Sequence, residues 1–343
     1  MDCFYAAVHV RDDPSLAGKP VVVGGDPTRR GVVAAASYEA RRFGIHSAMP
    51  SAQAARLCGD LVFLRPDFPR YRAESDAIFA IFRDFTPIVQ PASLDEAYLD
   101  VGEHLGPWGS ATAIAREIRR RVRAERRLTV SIGVGPNRLV AKIASDFEKP
   151  DGLTVVRPGQ VEAFLAPLPV RRLHGVGPAT EAALAELGVR TVEELRRVPV
   201  EELERRFGKW GHALFAYARG LDDRPVTLER ERKSLGTETT YERDLHELAA
   251  IEGQIAQLAA DVSDSLQKRG LLARTVTVKV RYADFTTVTR GRTFAVAAAD
   301  APTLALHATA LLRRTEAGRR PVRLLGVTAS HLLEGAPVQL ALW

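Results

Sequence analysis

Cysteine is nearly absent: Cys3 and Cys58 are the only two in 343 residues. Two thiols build neither a disulfide framework nor a cysteine-rich metal cluster, and they suit a reduced, cytoplasmic compartment. No apolar run reaches membrane-spanning length, and the first residues show no basic region followed by an apolar stretch. A helical membrane span and an export signal are therefore not expected. Charge of one sign is in small excess, 48 Lys and Arg against 42 Asp and Glu, a net of +6. That permits a polyanionic partner without demanding one. Repeats and low-complexity segments are also missing. What remains is an ordinary globular composition, 46% hydrophobic and 26% charged, on a chain long enough for two to four domains.

The first 160 residues alternate strand-like and helix-like patterns. Pro20–Gly25 and Gly31–Ala36 are short apolar runs and predict strands. Ser37–Phe43 predicts a helix stopped by Gly44. Ile88–Gln90 and Ala97–Val101 predict two strands joined by a short polar turn. Ser110–Arg127 predicts an amphipathic helix, with Ile114, Ile118 and Val122 on one face. Its other face carries Arg116, Arg119, Arg120, Arg123 and Arg127, for which a solvated surface is the plainest reading. Leu128–Val134 predicts a strand, and Pro136-Asn137 opens a helix through Ala144.

From 160 to 226 the composition turns helical and short-looped. Over 160–230, 11 basic residues balance 11 acidic ones. Residues 221–234 read as a linker. A helix over 247–268 ends in the basic last turn Lys268-Arg269 and the cap Gly270. A strand over Thr275–Tyr282, a helix over 301–314 and a strand over Val322–Ser330 make the last domain α+β.

Several constellations carry chemistry. Asp95-Glu96 falls at the turn between two predicted strands, where strand alternation breaks and both carboxylates can aim at one point. Such a pair suits Mg²⁺, which takes one or two carboxylates plus substrate phosphates; taken alone, it equally reads as a solvated turn. Tyr38 and Arg41 share a helix face, with Arg42 beside them, and Lys149 adds a point charge from another segment; these are phosphate-gripping groups or surface cations. Gly175-Val176-Gly177 before Pro178 reads as a helix-hairpin-helix turn. It would hold a DNA phosphate by backbone amides rather than bulk charge, or it is a tight helix connection. In Thr275–Tyr282 the period is two: Val276, Val278, Val280 and Tyr282 form a core face, and Thr275, Thr277, Lys279 and Arg281 the other. Thr289, Arg290 and Arg292 repeat the polar theme nearby. The apolar ending Pro337–Trp343 predicts a pocket on a partner or a tail packed on its own domain.

Taken together, Asp2-Cys3-Phe4-Tyr5-Ala6-Ala7-Val8, Ser37-Tyr38-Glu39-Ala40-Arg41, Ser93-Leu94-Asp95-Glu96-Ala97-Tyr98, Ala141–Asp146 with Lys149-Pro150, the Gly175–Gly177 turn and Val322–Val327 resemble, in order and along the whole chain, the DinB type of Y-family DNA polymerases, which copy damaged templates. The resemblance implies an α+β right hand. It consists of a ferredoxin-like palm (1–9 and 68–156, its N-terminal strand missing), small fingers (10–67) and a helical thumb with the helix-hairpin-helix (157–226). A linker (227–234), an α+β little finger (235–338) and a sliding-clamp-binding tail (339–343) follow.

It implies error-prone, template-directed DNA synthesis without proofreading, by nucleotidyl transfer to a primer 3′-hydroxyl. Asp95 and Glu96 would be catalytic metal ligands, Met1 offering only a backbone carbonyl, for two Mg²⁺ ions that Mn²⁺ can replace. Phe4 would position the sugar, and Tyr5 would be the steric gate against a 2′-hydroxyl. Tyr38, Arg41 and Lys149 would hold the triphosphate, and the small Ala34 and Ala36 would form a loose roof. Gly175, Val176, Gly177, Thr277, Lys279, Arg281, Arg290 and Arg292 would contact DNA. Gln339, Leu340, Leu342 and Trp343 would engage the bacterial sliding clamp. The implied partners are primer–template DNA, dNTPs and that clamp, for a monomer in the cytoplasm at the nucleoid.

The family's palm opens with a strand ending in Asp-x-Asp. Here Met1 stands at the x and Asp2 at the second Asp. Either the sequence starts inside the motif, with the first metal-binding Asp upstream, or this is a short form with an incomplete site. Losing a central strand leaves buried backbone groups unpaired at about 1–3 kcal/mol each, which favours the first. The second leaves room for a non-catalytic DNA- and clamp-binding adaptor of the same fold. Asp2 is not a replacement ligand, because the resemblance gives its position only a supporting role. A helix-hairpin-helix nuclease would need a catalytic cluster near 170–190, which the sequence lacks.

Overall fold

A computed structural model describes residues 1–228 and 232–335. Two runs of chain close on themselves: residues 1–27 with 31–228, and 232–335. In the first, Val21–Gly24 pairs antiparallel with Val33–Ala36 and parallel with Val62–Leu64. A short helix, Tyr38–Arg41, follows, with the Ser37 hydroxyl accepting from the Ala40 amide. The expected polar turn is there: Val89–Pro91 and Ala97–Leu99 form an antiparallel hairpin. Ile132–Val134 pairs in parallel with Leu153–Val155 as a separate two-stranded sheet. A groove of about 520 Å³ runs between these two pairs, floored by Ile114 and Ile118.

Three helices carry this frame. Phe4–Asp12 and Phe68–Arg83 pack together through Phe4, Val8, Tyr71 and Ile78. The amphipathic helix is α-helical over Ala111–Arg121, capped by Ser110, and then widens into a π-turn over Val122–Arg126. Five of the seven arginines over 111–127 pair with acidic side chains, while Arg116, Arg120, Arg123 and Arg127 are exposed. Arg119 and Arg123 pair with Asp151, Arg120 with Glu117, Arg121 with Asp84 and Glu125, and Arg126 with Glu74. Beyond Val155 the unit is helical, with Pro178–Ala185, Val192–Arg196, Val200–Phe207 and Lys209–Ala218 around Leu184, Leu195, Leu203 and Leu214.

The second unit runs strand–helix–strand–strand–helix–strand. Its four-stranded antiparallel sheet has the order Thr287–Ala298, Leu271–Tyr282, Val322–Glu334, Ser234–Leu245. The helices Leu248–Gln267 and Ala301–Leu312 pack on Val276, Val278, Val280 and Tyr282, which are all buried. Each such side chain contributes about 1.5–3 kcal/mol of burial, which fixes the face the strand turns inward. Among the described residues no helix is long and apolar enough to cross a membrane.

Candidate active site

Asp95 and Glu96 sit where the hairpin turns. The turn is closed by Ala92 and Ser93 amides donating to the Glu96 carbonyl and is pinned from behind by the buried Ser75 hydroxyl, 2.5 Å from the Leu94 carbonyl. One Asp95 carboxylate oxygen accepts from the Ser93 hydroxyl at 2.7 Å. One Glu96 oxygen accepts from Lys142 Nζ at 2.5 Å. Burial alone would lower the Lys142 pKa, but the bond and charge of Glu96 outweigh it and raise it. The Met1 amino group donates to the Asp95 carbonyl at 2.7 Å.

Asp2 turns away from this point. It is 2% exposed, accepting from Ser131 Oγ at 2.8 Å and from the Asp151 amide at 2.9 Å. Its carboxylate is a structural clasp between the Ser131 and Asp151 segments. Cys3 follows with a left-handed φ of 39° and turns the chain into the helix Phe4–Asp12. Burial pushes its thiol up to about 11, so it is no nucleophile at neutral pH.

A polar cavity of about 310 Å³ opens beside the turn. Phe4, Tyr5, Tyr38, Arg41, Asp95 and Lys149 line it together. Four separate stretches of sequence thus meet at one hole. Arg41 is aimed by its Nε bond to the Ala36 carbonyl at 3.1 Å and lies 4.9 Å from the Tyr38 ring centroid. Lys149 is held 2.5 Å from Asp146. The buried Tyr38 hydroxyl has no hydrogen-bond partner among the described residues, and burial pushes its pKa up to about 12, keeping the proton on. Ala34 lines the cavity as expected, but Ala36 does not. Alternation fails at the end of that strand, where Ala35 and Ala36 are both buried and Ala36 joins Val22 and Val33 in the core.

The other expected contacts fall on two surfaces. Gly175 has a φ of +92° and lies against Trp210, while Gly177 caps the helix Pro178–Ala185 with open space where a Cβ would go. Thr277, Lys279 and Arg281 share the sheet face that neither helix covers, with Thr289 beside Lys279 and Gly291 beside Thr277. Arg290 and Arg292 do not join them. They register with Val278 and Val276, on the helix-covered side, and Arg290 donates to the Arg314 carbonyl. Gln339, Leu340, Leu342 and Trp343 lie outside the described residues. Sequence reading missed three neighbours of these residues: Lys142, which bonds Glu96, Asp146, which pairs with Lys149, and Tyr71, which stacks on Tyr5. The first two lie in the Ala141–Asp146 motif, the only signal the sequence offers for them.

Family models match at three places: the impB/mucB/samB family at 1–146, its C-terminal domain at 232–342, and a DNA polymerase-iota thumb domain at 171–222. The chain is 56% identical over 342 residues to the DNA polymerase IV of Alkalilimnicola ehrlichii, covering 99% of this chain and 95% of that one. It is 53% identical to that of Halorhodospira halophila, with 97% and 93% covered. Among solved structures it is similar to a Y-family polymerase chimera of Dbh and Dpo4 (TM-score 0.88, 29% identity, 97% of each chain). It is also similar to an insertion ternary complex of Dbh DNA polymerase (TM-score 0.65, 29% identity, 96% of each). The right-hand fold and an error-prone DNA-directed DNA polymerase activity follow from these matches, with the use of divalent metal ions that the family shares; nothing in them supports an adaptor without catalysis. With three family models and relatives at half identity along nearly its full length, the chain belongs to the DinB type of Y-family DNA polymerases.

Proposed function

We propose that the 310 Å³ cavity is the nucleotide site and that the Asp95-Glu96 turn at its edge is where the new phosphodiester bond forms. The observation that carries this reading is the meeting of Tyr5, Tyr38, Arg41, Lys149 and Asp95 around that one cavity. Arg41, Lys149 and the unpaired Tyr38 hydroxyl are donors suited to a triphosphate. Phe4 and Tyr5 set the sugar, with the Tyr5 ring closing the space a 2′-hydroxyl would need. Ala34 leaves the opposite wall low, which suits a loosely checked base pair.

The donor set fits a hard divalent cation. Asp95 and Glu96 each have one carboxylate oxygen engaged within the protein, by Ser93 and Lys142, and the other remaining. Among the described residues no three His, Cys, Asp or Glu side chains surround one point. Two carboxylates with water and substrate phosphates filling the rest is the habit of Mg²⁺, and two such ions per site are proposed. Bound there, Mg²⁺ supplies charge neutralisation at the attacking and leaving oxygens. The protein's own part is positioning: the hairpin holds the acids, Lys142 fixes Glu96, and Asp146 steers Lys149. Thr277, Lys279 and Arg281 track the DNA backbone, as do the Gly175–Gly177 amides, and residues 339–343 engage a sliding clamp. The protein works in the cytoplasm at the nucleoid.

Primer extension tests this. The assay uses Mg²⁺, four dNTPs and the full chain, which is expected to extend primers at a Mg²⁺-dependent rate. Asp95→Asn or Glu96→Gln is expected to lower that rate by about 10²-fold or more. Added clamp is expected to stimulate the intact chain but not one ending at residue 338. Synthesis indifferent to both acid substitutions would overturn the site assignment.

A further inference from the structure

The ring of Tyr5 does not stand alone. It lies flat on Tyr71, with centroids 4.2 Å apart and planes 16° from parallel. Tyr71 is 0% exposed and is held from several sides. Phe68 meets both rings edge-on at 5.9 Å. His9, one helical turn beyond Tyr5 on the same face, shares a 2.7 Å hydrogen bond with the Tyr71 hydroxyl and sets its ring at 77° to it. Farther along, the two helices are tied again. Arg11 pairs with the buried Glu74 at 2.7 Å, and Arg70 pairs with Asp12. The helix carrying Tyr5 is thus fixed against the helix carrying Tyr71 along its length.

A ring excludes a 2′-hydroxyl only if it cannot yield. An unsupported side chain moves off its rotamer at small cost. A ring pressed on a close-packed, buried neighbour has nowhere to go. We propose that Tyr71 is a positioning residue for sugar selection: it backs the Tyr5 ring, so discrimination between deoxy- and ribonucleotides belongs to the stacked pair and not to Tyr5 alone. This rests on the reading of Tyr5 as the gate.

The test is equilibrium binding of dATP and of ATP to the full chain on a primer–template with a dideoxy-terminated primer, a template T and Mg²⁺. The readout is the affinity ratio. Tyr5→Ala is expected to lower the preference for dATP by about tenfold or more, the scale of discrimination a shaped wall gives. Tyr71→Ala is expected to lower it by about fivefold or more, through tighter ATP binding, with dATP affinity within about threefold of the parent. Tyr71→Phe keeps the flat face and should retain the ratio within about threefold. In the Tyr5→Ala background, Tyr71→Ala should add nothing, because the two act as one unit. If Tyr71→Ala does not fold, Tyr71→Leu fills most of the space without a flat ring and carries the same expectation.

An unchanged ratio in Tyr5→Ala overturns the gate reading and this inference with it. A lowered ratio in Tyr5→Ala beside a parental ratio in both Tyr71→Ala and Tyr71→Leu overturns the inference alone. Full additivity of the two alanine changes does the same, as does an equal weakening of dATP and ATP, the mark of a merely structural residue.

Discussion

Tyr38 brings into the cavity a buried hydroxyl that nothing in the described protein satisfies. An unpaired buried donor works against the folded state by about 1–3 kcal/mol, and a ligand oxygen placed there relieves it. Tyr38→Phe should therefore leave the Tm unchanged or raise it, while raising the KM for dNTPs about five- to tenfold, the equivalent of one ordinary hydrogen bond. Steady-state kinetics beside a melting curve would check this. A parental KM, or a lowered Tm with no kinetic change, would remove the hydroxyl from the nucleotide site. At this scale the sequence was legible where chemistry is local. The adjacent acids at a turn, and the tyrosine and arginine one helical turn apart, could be read as they stood. Lys142 and Tyr71 could not, because what matters is whom they meet, and their partners Glu96 and Tyr5 lie 46 and 66 positions away. That Arg290 and Arg292 take the opposite face from Lys279 and Arg281 was hidden for another reason. Strand register, invisible in one sequence, decides which face a side chain takes.

The Gly175–Gly177 turn separates two demands within one element. Gly175 sits at φ +92°, and a Cβ there would come within 2.6 Å of the Trp210 ring; Gly177 has a φ of −93° and open space around it. Gly175→Ala is thus expected to destabilise the first unit by about 1–3 kcal/mol through left-handed strain and overpacking. Gly177→Ala should fold like the parent but crowd a phosphate approaching the amides, weakening DNA binding. Denaturant titration and DNA affinity, measured on both variants, would reveal the split. Equal stability loss in the two would mean the turn is packing alone. The expected helices at 37–43, 110–127, 247–268 and 301–314 all appear within a few residues, because caps and apolar spacing mark them. The 110–127 segment departs by widening to a π-turn, with Arg127 leaving at a φ of 53°. The predicted strand over Leu128–Val134 shrinks to Ile132–Val134. Leu128 and Val130 are buried, but burial without a neighbouring strand makes no ladder.

At the scale of the molecule, surface cations are held by nearby groups in both units: Arg119 and Arg123 pair with Asp151 and Arg121 with Asp84 in the first, while on the uncovered sheet face of the second Lys279 pairs with Glu238 and Arg281 donates to the Thr287 hydroxyl. Lys279→Ala/Arg281→Ala in the full chain should flatten the dependence of log affinity on log salt by about 0.9 for each phosphate no longer neutralised. Arg290→Ala/Arg292→Ala should leave that slope as it was. Titrations of labelled primer–template at several salt concentrations would distinguish them, and equal slopes in all variants would move the DNA track elsewhere. A boundary could be read in the charged stretch 221–234, near which the chain divides into two units, whereas the change of composition near 160 falls inside the first unit, and the groove between the two strand pairs could not be read, since it depends on which edges stay apart. The cavity holding Tyr5, Tyr38, Asp95 and Lys149 draws on elements scattered over some 145 positions, and no one of them carries it alone. On the proposed reading, loosening any one of these elements takes a wall from the nucleotide site, so partial unfolding is expected to stop synthesis and not merely to lower its accuracy.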